Sequence, residues 1–359
     1  MSLPFFNSSI ISGSTAHNLG GCGGGCLPVG GWVELGRTTL SCAADNITVS
    51  CLADKRYYMV LGNKIASGSS DMVWRVGNST VDTLNNYASR YSIDGCADGT
   101  QTSNNKFRTS SPNTVNEFQV AYIANRSANE KLFIGHTVNE AAAGEATAPS
   151  RRETVAKWTN TSNPIDVIQG VQQDTGDFAS GSEVVVLGWD ESDTHTNNFW
   201  QELTDDTLAC PAQTLTSSSV TAKKYNWIQI IAEYSASNNM YLRLGNSTID
   251  TGSNYAYRKS KNDATDTTTT SASTGVRVID NTRNSRYFVN LFFINNASNE
   301  KLITGHSIEQ NTAGAANAPD RFEFVGKWDN TSNQADICQL YSDSGNMASG
   351  ARIKWWGAD

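Results

Sequence analysis

NEKLFIGHTVNE, Asn129 to Glu140, is written again as NEKLITGHSIEQ from Asn299 to Gln310. Extending the comparison to Asn163 and Asn333 leaves 20 of 35 positions identical. The match continues outward at an offset of 168 to 170 residues. RVGNSTVDT from Arg75 meets RLGNSTIDT from Arg243, KWTNTSN from Lys157 meets KWDNTSN from Lys327, and DTGDFASGSEVVVLGWD meets the closing DSGNMASGARIKWWGAD. A repeat of this length marks a copied domain rather than a copied motif. The chain therefore divides into a glycine-rich N-terminal arm (1–31), a first domain (32–190), a short polar linker (191–199) and a second domain (200–359).

Within each copy, runs of five to nine residues alternate apolar and polar and are separated by Asn, Gly, Asp and Ser clusters. That is the pattern of half-buried strands. RYYMVLGNKI, EFQVAYIAN, KLFIGHTV and EVVVLG carry it in the first copy; NWIQIIAEY, YFVNLFFI, KLITGHSI and RIKWWG carry it in the second. No stretch of ten residues has helical periodicity, and AAAGEATAPSRRE is broken by Gly144 and Pro149. The expectation is an all-β chain of two tandem antiparallel β-sandwiches, jelly-roll-like, with about nine short strands each.

Composition narrows the function. Charged residues are 17% of the chain and the formal net charge is −8, so no basic surface for nucleic acid is expected. The N-terminus MSLPFFNSSIISG has neither a basic segment nor an apolar run of spanning length, which predicts no signal peptide and no membrane span. The seven cysteines fall mostly without counterparts between the copies, against a disulfide framework.

Alternation in KLFIGHTVNE places Leu132, Ile134, His136 and Val138 on one face and Phe133, Gly135 and Thr137 on the other. His306 takes the same parity in the second copy. The reading is a copied core histidine satisfied by a nearby repeated Glu or Arg, with no metal site, because a zinc site wants three or four ligands and the chain has only four His. Arg151 and Glu153, repeated as Arg321 and Glu323, read as a surface pair worth little. Trp158 and Trp328 read as core anchors, or, together with Arg151 and Arg321, as a sugar-stacking surface. Asp82 and Asp250 read as caps of local backbone bends.

Trp355 and Trp356 are adjacent on a final strand, so one should point outward unless the first domain or a partner subunit covers it. In the arm, Cys22, Gly24 and Cys26 mark an anchoring segment; with Cys42 and Cys51 a four-thiolate site is the alternative, though its spacing departs from tight zinc pairs. No GxSxG, HExxH or glycine-rich loop followed by GK[ST] occurs, so no catalytic residue and no cofactor is expected.

GRTTL from Gly36, the NYAxR element, EKLxxGH, AGxxxAPxRxE, KWxNTSN and GDFASGSEVVVLG together resemble a repeated β-rich module of environmental bacteriophage and virus structural proteins. The resemblance covers both copies. It implies a non-enzymatic virion protein, a capsid decoration or tail or fibre component, made in the host cytoplasm and carried on the particle. Implied partners are further copies of itself, a trimer being one form, and capsid or tail proteins. Two alternatives stay open: a tandem carbohydrate-binding adhesion module for a host surface glycan, and a double-jelly-roll major capsid protein.

Overall fold

In the computed structural model, described over residues 31–359 except 110–113, 174, 196, 234–238 and 281–284, every regular element is a β-strand. The first copy runs β1 Val33–Thr39, β2 Asn46–Val49, β3 Tyr57–Lys64, β4 Met72–Asn78, β5 Thr80–Val81, β6 Tyr87–Ile93 and β7 Gly99–Asn104. It continues with β8 Glu117–Ala124, β9 Lys131–Asn139, β10 Ser150–Trp158, β11 Val167–Gln172 and β12 Glu183–Trp189. The second copy runs β13 Gln201–Thr207, β14 Thr214–Thr216, β15 Tyr225–Glu233, β16 Met240–Asn246, β17 Thr248–Ile249, β18 Tyr255–Lys261 and β19 Thr267–Ser273. It ends with β20 Val276–Ile279, β21 Arg286–Ile294, β22 Lys301–Glu309, β23 Asp320–Trp328, β24 Ile337–Ser342 and β25 Arg352–Ala358.

Each copy is an antiparallel sandwich of one large and one small sheet. The large sheets have the order β1-β12-β3-β8-β9-β10-β6-β7 and β13-β25-β15-β21-β22-β23-β18-β19. The small sheets are β2-β11-β4-β5 and β14-β24-β16-β17, with β20 added on β16. The strand count exceeds the sequence expectation because pieces as short as Thr80–Val81 pair without leaving an alternating pattern. These pieces belong to the repeated GNST turn, where the backbone folds so tightly that a Cβ on Gly77 would lie 1.9 Å from the Thr80 carbonyl oxygen. The same is true of Gly245 and Thr248, at 2.0 Å, which is why both glycines survive the divergence of the copies.

Two cores lie inside the sandwiches. Val60, Ala121, Phe133 and Ala156 from the large sheet meet Ile47, Trp74, Val76 and Ile168 from the small one. In the second copy Ile228, Leu291, Ile303, Phe324 and Trp355 meet Leu242, Leu244 and Leu340. A third apolar layer lies between the copies. Leu61, Phe118, Val120, Val138 and Val185, on the outer face of the first large sheet, pack with Trp227, Phe292, Leu302, Val325 and Trp356 of the second. The two large sheets therefore share a seam. The linker and the start of the second domain contribute to it: Phe199 donates its backbone N–H to the Trp32 carbonyl at 2.7 Å, and the Trp200 ring sits 5.9 Å from Trp227 and 6.0 Å from Phe292.

The seam corrects the parity assigned to the histidines. Phe133, Gly135 and Thr137 face the sandwich core, and Leu132, Ile134 and His136 face outward. The outer face of this sheet is itself partly buried by the other copy, so both faces carry apolar residues and alternation alone cannot say which is inner. Trp355 and Trp356 are both buried, one in the second core and the other in the seam.

Candidate functional site at the seam between the copies

His136 and Glu153 are cross-strand partners on β9 and β10, and His306 and Glu323 are the equivalent partners on β22 and β23. Because both pairs point into the seam, the two histidines meet, with ring centroids 4.4 Å apart and planes at 65°. Glu153 lies between them. His136 Nδ1 hydrogen-bonds its Oε2, and His306 Nε2 is 3.6 Å from its Oε1. The surroundings are built by Arg151, whose Nη1 is 2.8 Å from Glu323 of the other copy and 3.4 Å from Glu153, and whose Nη2 is 2.8 Å from Asp266.

Charge and burial oppose each other here. Burial works against a charged His136, but the Glu153 carboxylate, by charge and by hydrogen bond, outweighs it and holds the imidazole pKa above its ordinary value. Burial would likewise raise Glu153, yet His136 and His306 hold that carboxyl far below the usual range. For Arg151, desolvation is overcome by the hydrogen bond to Asp266 and by the neighbouring carboxylates, so its pKa is raised. The guanidinium is a buried hub joining the copies, not the exposed pair expected from the Arg–Glu spacing. Its counterpart Arg321 is exposed, 3.1 Å from Glu323.

The remaining sequence candidates separate cleanly. Trp158 and Trp328 are buried, and each donates its indole N–H at 2.8 Å to Asp82 or Asp250. These aspartates also cap the bends as expected, accepting the N–H of Leu84 at 2.9 Å and of Gly252 at 2.8 Å. No indole face of this pair is open for a sugar to stack on, which removes the surface proposed for Trp158, Trp328 and Arg151. The buried indoles are sandwich anchors, each with a lysine, Lys131 or Lys301, 5.6 Å from the ring centroid. Cys22, Gly24 and Cys26 lie outside the described residues. Cys42 and Cys51 are free and exposed.

Sequence reasoning missed further seam contacts. Tyr225 donates to Glu183 at 2.7 Å, and Lys224 lies 3.0 Å from the same carboxylate. Lys327 is fully buried, 3.1 Å from the Glu140 carbonyl and 3.3 Å from Glu300, whereas its copy Lys157 is exposed on its side chain. Asp266, which anchors Arg151, is the counterpart of Asp98 at an offset of 168 residues, and Asp98 pairs instead with Arg90 at 3.4 Å. Identical residues in the two copies acquire different surroundings, and nothing within either repeat announces it.

The fold and site define a tandem β-sandwich protein whose copies meet face to face at a half-buried His–Glu cluster held by the buried Arg151. No family model matches the chain, and no curated protein matches it. Among solved structures, domains LG4-5 of the mouse laminin α1 chain match over 93% of this chain and 92% of their own, at 9% identity and a TM-score of 0.20. The LG1-3 region of the laminin α2 chain matches over 88% of this chain and 64% of its own, at 8% identity and a TM-score of 0.22. At such scores the arrangements do not superpose.

Proposed function

We propose that the chain is a non-enzymatic structural protein that assembles with further copies of itself, as a decoration or appendage part of a virion. The observation that carries this reading is the unequal covering of two equivalent faces. Phe118 and Val138 of the first copy are 1% and 0% exposed, but their counterparts Phe288 and Ile308 are 40% and 46% exposed. Conversely, Leu302 and Val325 of the second copy are 1% and 0% exposed, while Leu132 and Val155 are 56% and 50% exposed.

Each copy thus uses one half of its outer face in the seam and leaves the other half bare. The bare halves are apolar: Tyr57, Leu132, Ile134 and Val155 on the first copy, and the cross-strand row Ile231, Phe288 and Ile308 on the second. Seven of the eight exposed large hydrophobic residues among those described fall on these two patches, Leu84 being the eighth. Concentration of this kind marks an interaction surface rather than scattered exposure. The occupant we infer is a second copy of this chain, because the surfaces equivalent to each patch already close against one another inside the molecule. Two different patches meeting between chains give a heterologous contact, which closes into a ring or runs on as a fibre.

The test is sedimentation velocity and negative-stain microscopy of the purified chain, with Phe288→Asp and Ile134→Asp as variants. Concentration-dependent assembly that either substitution abolishes, with labelling of virus particles by antibody to the chain, supports the reading. A monomer at all concentrations and absence from particles overturns it.

A further inference from the structure

We propose that His136, Glu153 and His306 form a binding site for a divalent transition metal, zinc by the chemistry of the donor set. The site stands on geometry independent of self-assembly. One ligand atom from each of the three side chains lies within 4.8 Å of the others. A tetrahedral zinc with bonds of about 2.1 Å holds its ligand atoms roughly 3.4 Å apart, so on binding the hydrogen-bonded His136 Nδ1 and Glu153 Oε2 would part slightly while His306 moves in. Two imidazoles and one carboxylate are a set that zinc accepts with a fourth position left to solvent. Access for that fourth ligand exists, since the His136, Glu153 and His306 side chains are 22%, 24% and 35% exposed.

The surroundings favour a cation despite the nearby guanidinium. Arg151 is committed to Asp266 and Glu323, both at 2.8 Å, so its charge is matched before Glu153 is counted. Its 3.4 Å approach to Glu153 Oε1 fixes that carboxylate in orientation while leaving Oε2 directed at His136. Hydrogen bonds to a ligating carboxylate are a recurrent means of holding it in place. The expected lack of a metal site rested on the small number of histidines. Folding brings two of the four together from positions 170 residues apart (306 − 136). Because the ligands come from both copies, the metal would tie the seam shut.

The experiment uses the full chain stripped with EDTA, titrated with zinc sulfate by calorimetry and with cobalt(II) by absorbance. One equivalent per chain is expected, with a cobalt spectrum of tetrahedral intensity and no thiolate charge-transfer band. His136→Ala and His306→Ala should each weaken zinc binding by at least about tenfold, and His195→Ala should leave it unchanged. A thiolate band in the unsubstituted protein, equal uptake by all three variants, or no uptake by the unsubstituted protein overturns the proposal. The cobalt spectrum of the unsubstituted chain keeps the test valid if a variant fails to fold.

Discussion

His136 and His306 occupy the same position in the two copies of a duplicated domain, and their rings lie 4.4 Å apart across the seam. One carboxylate, Glu153, serves both, while the second copy's Glu323 is taken by Arg151. A duplication that placed a histidine on the outer face of each large sheet created, by face-to-face docking, a cluster that neither copy has alone. The seam is asymmetric in its detail, and the asymmetry makes the equivalent residues of the two copies informative controls for one another.

Phe118 and Phe288 should respond unequally to truncation. Phe118→Ala opens a cavity in the seam and should cost about 3–4 kcal/mol, read as a shift in the denaturation midpoint. Phe288→Ala, on the bare face, should change monomer stability by less than about 0.5 kcal/mol. Equal losses would contradict the unequal covering.

Arg151 and Arg321 form a second such pair. Arg151→Met takes from Asp266 and Glu323 their shared cation, Glu323 keeping Arg321 at 3.1 Å, and about 3–5 kcal/mol of destabilisation is expected. Arg321→Met should cost little, because an exposed pair contributes under about 1 kcal/mol. Thermal melts of both variants in the same buffer decide the matter.

Asp82→Ala and Asp250→Ala should behave alike, since each strands a buried indole N–H and an uncapped turn. A loss of about 1–3 kcal/mol in either variant is expected, with a change in tryptophan emission. A variant that melts like the parent would show that the Trp–Asp bond contributes nothing.

The seam should tighten on mild acidification at one corner. Burial, together with Glu145 and Glu300, raises the Asp329 pKa to about 6. A carboxyl whose folded pKa is raised opposes folding when ionised. Stability attributable to Asp329 therefore rises as pH falls from above 6 towards its unfolded value near 3.8. Asp329→Asn should stabilise the protein at pH 8, by about 1 kcal/mol after solvent screening, and should have no effect near pH 4. Destabilisation at pH 8 would reverse the sign and refute the assignment.

Much of the architecture was legible in the residues. The strands at KLFIGHTV, EVVVLG and YFVNLFFI lie within a residue or two of where alternation places them, because a period of two is a local property of the backbone. The bends capped by Asp82 and Asp250 were legible for another local reason, the polar turn residues around them. The role of Trp158 as a core anchor was also readable from the large apolar side chain ending a strand. What alternation could not give was the direction of β9. Its outer residues Leu132, Ile134 and Val138 are as apolar as its inner ones, since half of that face is buried by another domain.

By itself, then, the sequence determined the duplication, the all-β class and the strand positions, all of which depend on local periodicity and on comparison of the chain with itself. Only the tertiary structure decided that Val138 is covered while Ile308 is bare, that Arg151 is a buried hub while Arg321 is solvated, and that His136 meets His306. Those outcomes follow from the placement of one folded body against another. Where the two copies carry the same residue, as at Arg151 and Arg321 or Phe118 and Phe288, the local instruction is the same, so the difference between their faces arises only when one copy docks on the other and removes water from unequal halves of the two sheets.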